Sequence, residues 1–165
     1  MGEGILLFGL RNIKRRYTRT LQAFAKKVLT RGRANGSIYI FGNTHKSIIQ
    51  NLHEKGIDIK ATKTAITDKT IIKYKNHPKK SKGAVVSSNR FIMVEAAVRH
   101  PKHTYIDTKR DRLVYVSNVK YAKDKVLKVI IEPNQKLGRN FYNKVVSIGV
   151  VNKSNLRTSQ YKKIW

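Results

Sequence analysis

The apolar residues of this chain change their spacing at His100-Pro101, and that change constrains the fold more than any other feature. Before it, apolar positions recur every three or four residues, the period of a helix with one buried face. After it come four short runs rich in Val, Ile and Tyr: His103 to Asp107, Leu113 to Ser117, Val126 to Glu132 and Val145 to Val151. Such runs favour strands. They are separated by Lys109-Arg110-Asp111, Lys120 to Lys125 and Pro133 to Asn143. The expectation is an α+β fold, with N-terminal helices followed by a small antiparallel sheet of about four strands.

The helical half has its own punctuation. Leu10, Ile13, Tyr17, Leu21, Phe24 and Val28 share one face of a first amphipathic helix, stopped by Gly32 and Gly36. Ser37 to Phe41 reads as a short strand ended by Gly42. Thr44 is placed to cap a helix carrying Ile48, Ile49 and Leu52, with Gly56 at its exit. Lys60 to Ala65 reads as a polar connection, and Asp68 caps a further helix over Lys69 to Asn76. Ser87 or Ser88 caps the last helix, which ends at His100 because a residue before proline is pushed out of the α region. The boundaries expected are a basic helical arm over 1–36, an α+β domain over 37–151 and a basic, extended or partly disordered tail over 152–165.

Charge speaks to partners. Thirty-six Lys and Arg stand against nine Asp and Glu, a formal net charge of +27. Folding does not require this excess and self-repulsion opposes it, so it points to a polyanion. RNA is the partner expected, with an anionic membrane as a weaker alternative through the first helix. Phosphate contacts are assigned to Lys14, Arg15, Arg16, Arg19, Lys26 and Lys27 on that helix. Lys79, Lys80 and Lys82 in a central loop and Lys109 and Arg110 in a later turn join them. A solvated face on a packing helix is the plainer explanation of the first group. The apolar opening from Gly2 to Leu10 is too short for a membrane span, which needs roughly 20 residues. No basic residue precedes it, so a secretory signal is not expected and the chain reads as soluble and cytoplasmic.

Elimination narrows the chemistry. The absence of Cys removes thiolate metal sites and thiol nucleophiles. The scattered acids do not form the carboxylate cluster of a two-metal nuclease, and no glycine-rich phosphate loop is present. No metal and no cofactor are expected. Lys, Arg, His, Ser and Tyr remain, and they suffice for metal-free cleavage of RNA. The ribose 2′-OH is an internal nucleophile beside the phosphorus, so the protein must supply an acid, a base and groups that hold charge on the phosphorane oxygens. Histidine titrates near neutrality and is the natural acid–base group. His100 and His103, beside Pro101, read as structural loop residues.

From Thr67 to Val151 the order of elements has a counterpart. Asp68 to His77 forms a helix bearing Lys73 and ending near a histidine, and Arg90 to His100 is the following helix. The stretch HPKHTYIDTKRDRLVYVS, His100 to Ser117, then matches a hairpin with a proline, an aromatic and an Asp in its first strand. Val126 to Glu132 and Lys144 to Val151 match the last two strands. The pattern resembles the phage-associated nucleases of the barnase–EndoU–colicin–RelE superfamily, small α+β domains that cut RNA without metal.

The resemblance implies roles. His77 corresponds to the helix-end histidine and is the expected acid–base group, with a helix-stop turn as its plainer reading. Lys73, one turn earlier, faces the same phosphate. Ser147 holds the family's hydroxyl position in the last strand, where a serine bonding its own sheet is the alternative. Arg112 and Tyr142 are weaker additions, as a cation and a hydroxyl. Tyr74 departs from a family pattern that has a second basic or polar residue in the helix. His45 competes independently, because it opens a helix after a strand, a place that favours phosphate. The implied function is a toxin-type or phage-associated ribonuclease with an acidic immunity or antitoxin protein as partner. Such a protein acts in its own cell, is delivered into another, or is carried in a phage particle. A non-catalytic nucleic-acid-binding protein is the alternative.

Overall fold

A computed structural model describes residues 20–75, 90–119 and 123–165. Helix α1, Leu21–Arg31, begins where Thr20, in extended backbone, accepts a hydrogen bond from Ala23 N at 3.1 Å. It ends at Gly32, whose φ of 75° suits glycine and whose N–H returns to Val28 O. Leu21, Phe24, Ala25 and Val28 are its buried stripe. Of the single long helix expected from Leu10 to Val28, the described part begins at Leu21, after the extended Thr20, and residues 1–19 lie outside the described residues. Leu21–Arg31 belongs to the main core, although it falls within the segment expected to be an arm.

Strand β1, Ile38–Asn43, turns Tyr39 and Phe41 inward. Helix α2, Lys46–Glu54, buries Ile48 and Leu52, one turn apart. Its cap position is His45, without a side-chain capping bond, instead of the expected Thr44. The Thr44 hydroxyl is taken up by Thr64 Oγ1 at 3.3 Å and by Asn143 Nδ2 at 3.1 Å. Strand β2, Lys63–Thr67, leads directly into α3, Asp68–Lys75. Helix α4, Arg90–Arg99, buries Phe91, Val94, Ala97 and Val98. Then come β3, His103–Asp107; β4, Arg112–Asn118; β5, Lys125–Leu137; and β6, Asn140–Asn152. A 3₁₀ turn, Lys153–Leu156, and β7, Tyr161–Lys163, complete the described chain.

The strands form one seven-stranded sheet in the order β1-β2-β6-β5-β4-β3-β7. The α+β class stands, but about four antiparallel strands understates the sheet. β2 pairs parallel with β6, so the sheet is mixed. The missed β2 lies partly in the stretch read as a polar connection. Its Thr64, Ala65 and Ile66 are buried, and the threonine escaped notice because its hydroxyl is satisfied internally. The tail is ordered as well, since Tyr161 to Lys163 pair with Asp107 to Tyr105 and close the far edge of the sheet. β5 and β6 run on through the expected loop to a hairpin at Gly138, φ 65°.

Helices and sheet share one core, to which Ile106, Leu113, Tyr115, Leu127, Val129, Ile131, Val145 and Ile148 contribute from the strands. Four successive residues of β4, Leu113, Val114, Tyr115 and Val116, are buried. A strand with one solvated face would alternate. The second face is covered locally by a smaller cluster of Val114, Val116, Val126 and Leu156, with Tyr105 and Tyr161 packed against it. No described helix is long and apolar enough to cross a membrane.

Candidate functional site

The start of α3 is fixed by a buried carboxylate. Asp68 accepts from Asn35 N at 2.7 Å, Ser37 Oγ at 3.1 Å, Ser37 N at 3.3 Å and Arg31 NH2 at 3.0 Å. Burial alone would raise its pKa, but these bonds outweigh burial and hold the carboxyl below the ordinary 3.8. Thr67 Oγ1 receives Thr70 N at 3.2 Å and closes the first turn. With that end clamped, Ile71 and Tyr74, three apart, are buried, and Lys73 lies exposed on the outer side.

The far end of α3 meets β6 at an irregularity. Ser147 pairs with Ile130 and Val145 with Ile131, which leaves Val146 as an extra residue. Such a bulge re-aims neighbouring side chains. Lys73 Nζ lies 3.4 Å from Val146 O and 5.6 Å from the centre of the Tyr74 ring. The Tyr74 phenol oxygen accepts a bond from Ile148 N and is bonded to the Ser147 hydroxyl. Burial raises the Tyr74 pKa, against those two bonds, so the phenol stays protonated at neutral pH. One ammonium and one hydroxyl, 74 residues apart in sequence, thus both lie at the α3–β6 junction.

The other expected residues are distributed differently. His77, Lys79, Lys80 and Lys82 lie outside the described residues, as do Lys14, Arg15, Arg16 and Arg19. Arg112 is committed to Glu132 at 3.1 Å. Its chain neighbour Leu113 enters the helix-side core, so alternation turns Arg112 to the opposite face, away from Tyr74. His45 Nε2 is 3.0 Å from Arg99 O, and the ring stacks on Trp165 with centroids 5.9 Å apart. Tyr142 is buried. Lys26 and Lys27 are exposed on α1, and Lys109 and Arg110 are exposed in the β3–β4 turn. Among the described residues no three His, Asp or Glu side chains are grouped to hold a metal ion.

A second group of cations was not foreseen. Lys102, His103, Tyr105, Lys153 and Arg157 rim a cavity of about 240 Å³ against the smaller apolar cluster. These residues come from β3, the segment before it and the tail, so sequence spacing gave no sign that they converge. Comparison of the chain with family models, with curated proteins and with solved structures finds no match.

Proposed function

We propose that this chain binds RNA and cleaves it without a metal ion, at the α3–β6 junction. The observation that carries this reading is the meeting of Lys73 with the bulged strand beside Ser147, linked through Tyr74. In the reaction the 2′-OH loses its proton as its oxygen bonds to the adjacent phosphorus, the bond from phosphorus to the 5′-oxygen breaks and that oxygen takes up a proton, giving a cyclic phosphate end and a 5′-hydroxyl. Lys73 balances the charge that grows on the phosphorane, and Ser147 donates to one of its oxygens. His77, two residues beyond α3 in the sequence, is the group assigned to proton transfer. An acidic immunity or antitoxin protein is the partner proposed, because it would mask the same cations.

Purified protein incubated with RNA in EDTA is the test. Cleavage with cyclic phosphate ends supports the reading, and loss of cleavage with retained RNA affinity in His77→Ala supports the assigned role. Ser147→Ala is expected to lower the rate by roughly 10–100-fold, below the cost of losing a full oxyanion donor. RNA bound but left intact by the unmodified protein would instead favour a non-catalytic binder, a reading to which the basic cavity lends independent weight.

A further inference from the structure

We infer that the cavity on the face of the sheet away from the helices is a binding site for the phosphate backbone of single-stranded RNA. It is separate from the α3–β6 junction and rests on the RNA-binding part of the proposed function, not on cleavage. Three observations carry it.

The first is charge without neutralisation. Lys102, Lys153 and Arg157 line the cavity with His103, and no acidic residue lines it. Of the nearby acids, Glu132 bonds Arg112 at 3.1 Å, Asp107 accepts from Gln160 Nε2 at 2.9 Å and Lys109 N at 3.1 Å, and exposed Asp124 meets Lys153 through its main chain, its carbonyl accepting from Lys153 N at 2.8 Å. Burial, Lys163 and Lys102 together push the His103 imidazole below its ordinary 6.5, which is consistent with an uncompensated positive field.

The second is shape. The volume, about 240 Å³, falls short of the roughly 300–1,000 Å³ of a small-molecule pocket. It suits a phosphate with its sugar or one base instead of a whole free ligand. The apolar floor, which includes Val116 and Leu156, is recessed beneath a charged rim. A membrane-docking surface presents its apolar residues outward, so this arrangement favours a chain that enters the recess.

The third is the aromatic content. Tyr105 stands in the rim, and Tyr161 lies on the neighbouring strand with Lys128 Nζ 5.5 Å from its ring centre. Phenol faces beside cations are the platform on which unpaired bases stack.

Binding is measured by fluorescence anisotropy with a labelled 2′-O-methyl oligoribonucleotide, which 2′-OH attack cannot cleave. The double variant K153Q/R157Q is compared with K136Q/R139Q, which removes the same charge at the exposed tip of the β5–β6 hairpin. K153Q/R157Q is expected to weaken binding about tenfold and to flatten the log–log salt slope by about 1.4, the value for two lost single-strand phosphate contacts. K136Q/R139Q is expected to weaken it less than threefold or so, the ordinary effect of net charge. All four side chains are exposed, and circular dichroism checks that both variants fold. Equal losses in the two variants, or none in K153Q/R157Q, overturn the site. So does a K153Q/R157Q defect confined to phosphatidylserine vesicles with RNA binding intact. A chain that never cleaves RNA but shows the expected contrast loses the catalytic proposal and keeps this one.

Discussion

The helix face of the sheet and the cavity on its other face treat charge in opposite ways. On the helix side, carboxylates are structural joints. Asp68 ties the end of α1 and the entry to β1 to the start of α3. Glu95 accepts from Leu21 N at 3.0 Å, from the Tyr39 phenol and from the Arg99 guanidinium, joining α1, β1 and α4. On the other face, cations gather around a cavity with no acid in its lining. A chain with nine acids and 36 Lys and Arg places two of those acids where backbone N–H groups would otherwise be stranded. The excess of positive charge is therefore not spread evenly. It is compensated where the fold requires it and gathered, without a lining acid, around the cavity.

The largest expected effect follows from the first half of that contrast. Asp68→Ala strands Arg31 and three N–H or O–H donors at once, and is expected to cost about 3 kcal/mol, the scale for breaking a buried charge pair. For a chain of this size that lowers the melting temperature by roughly 6–12 °C. Because the Asp68 pKa is depressed, its contribution is present above about 3.8 and is lost as pH falls through the folded value. The wild-type should therefore show acid destabilisation that Asp68→Asn lacks. A melting temperature within a degree or two of wild-type in Asp68→Ala would remove the distinction between the faces.

Glu95→Gln comes next, at about 1–3 kcal/mol, since the amide keeps an acceptor but loses the charge facing Arg99. The same site predicts an alkaline effect. Burial first, and then the bond to Glu95, raise the Tyr39 pKa to about 12. Its folded value exceeds its unfolded one, so its stabilisation is complete below pH 10 and disappears as pH rises toward 12. Absorbance titration of the phenols should show a late-ionising tyrosine that moves to lower pH in Glu95→Gln.

How far these features could be read from the sequence depends on whether their residues lie close together along it. The α1 stripe from Leu21, the Gly56 exit, β3, β4 and the first half of β5 are local patterns, and they appear as expected; the start of α3 is capped by Thr67 instead of Asp68, whose carboxylate is drawn to Arg31, Asn35 and Ser37. β2 is not local. Thr64 looks polar until Thr44, which bonds it from the strand edge of another element, is in place. β7 is three residues long and gains its order from pairing with β3, which no window of the tail reveals. Only a resemblance pairs Lys73 with Ser147 in the sequence, and the residue that links them, Tyr74, is a departure from its pattern. By its sequence His103 is a loop histidine beside proline. Its significance depends on Lys163, Lys153 and Arg157, at least 50 positions away.

On the open face, removing charge should barely disturb the fold. K153Q/R157Q is expected to change stability by no more than about 0.5 kcal/mol, in contrast to Asp68→Ala. A loss of several degrees in melting temperature would mean that these cations hold the 3₁₀ turn to the sheet, and the two faces would then be alike.

The smallest effect probes the same face by protonation. His103 is pushed down by burial and by the ammonium groups of Lys163 and Lys102, so the unfolded chain takes up its proton at higher pH than the folded one. Stability from this group is complete above about pH 6.5 and falls until the folded pKa is passed, the reverse of a histidine that has gained an acid partner. A polyanion in the cavity reverses the field, so binding should draw in a proton and raise the imidazole pKa. At pH below both the free and the bound value, each unit of that rise is worth a tenfold gain in affinity, or about 1.4 kcal/mol. NMR titration of the His103 ring in free protein and with the 2′-O-methyl strand measures it directly. His103→Gln should flatten the corresponding part of the pH dependence of binding. If the ring titrates identically with and without the strand, the phosphates do not sit in the cavity, and its free cations are a surface like any other.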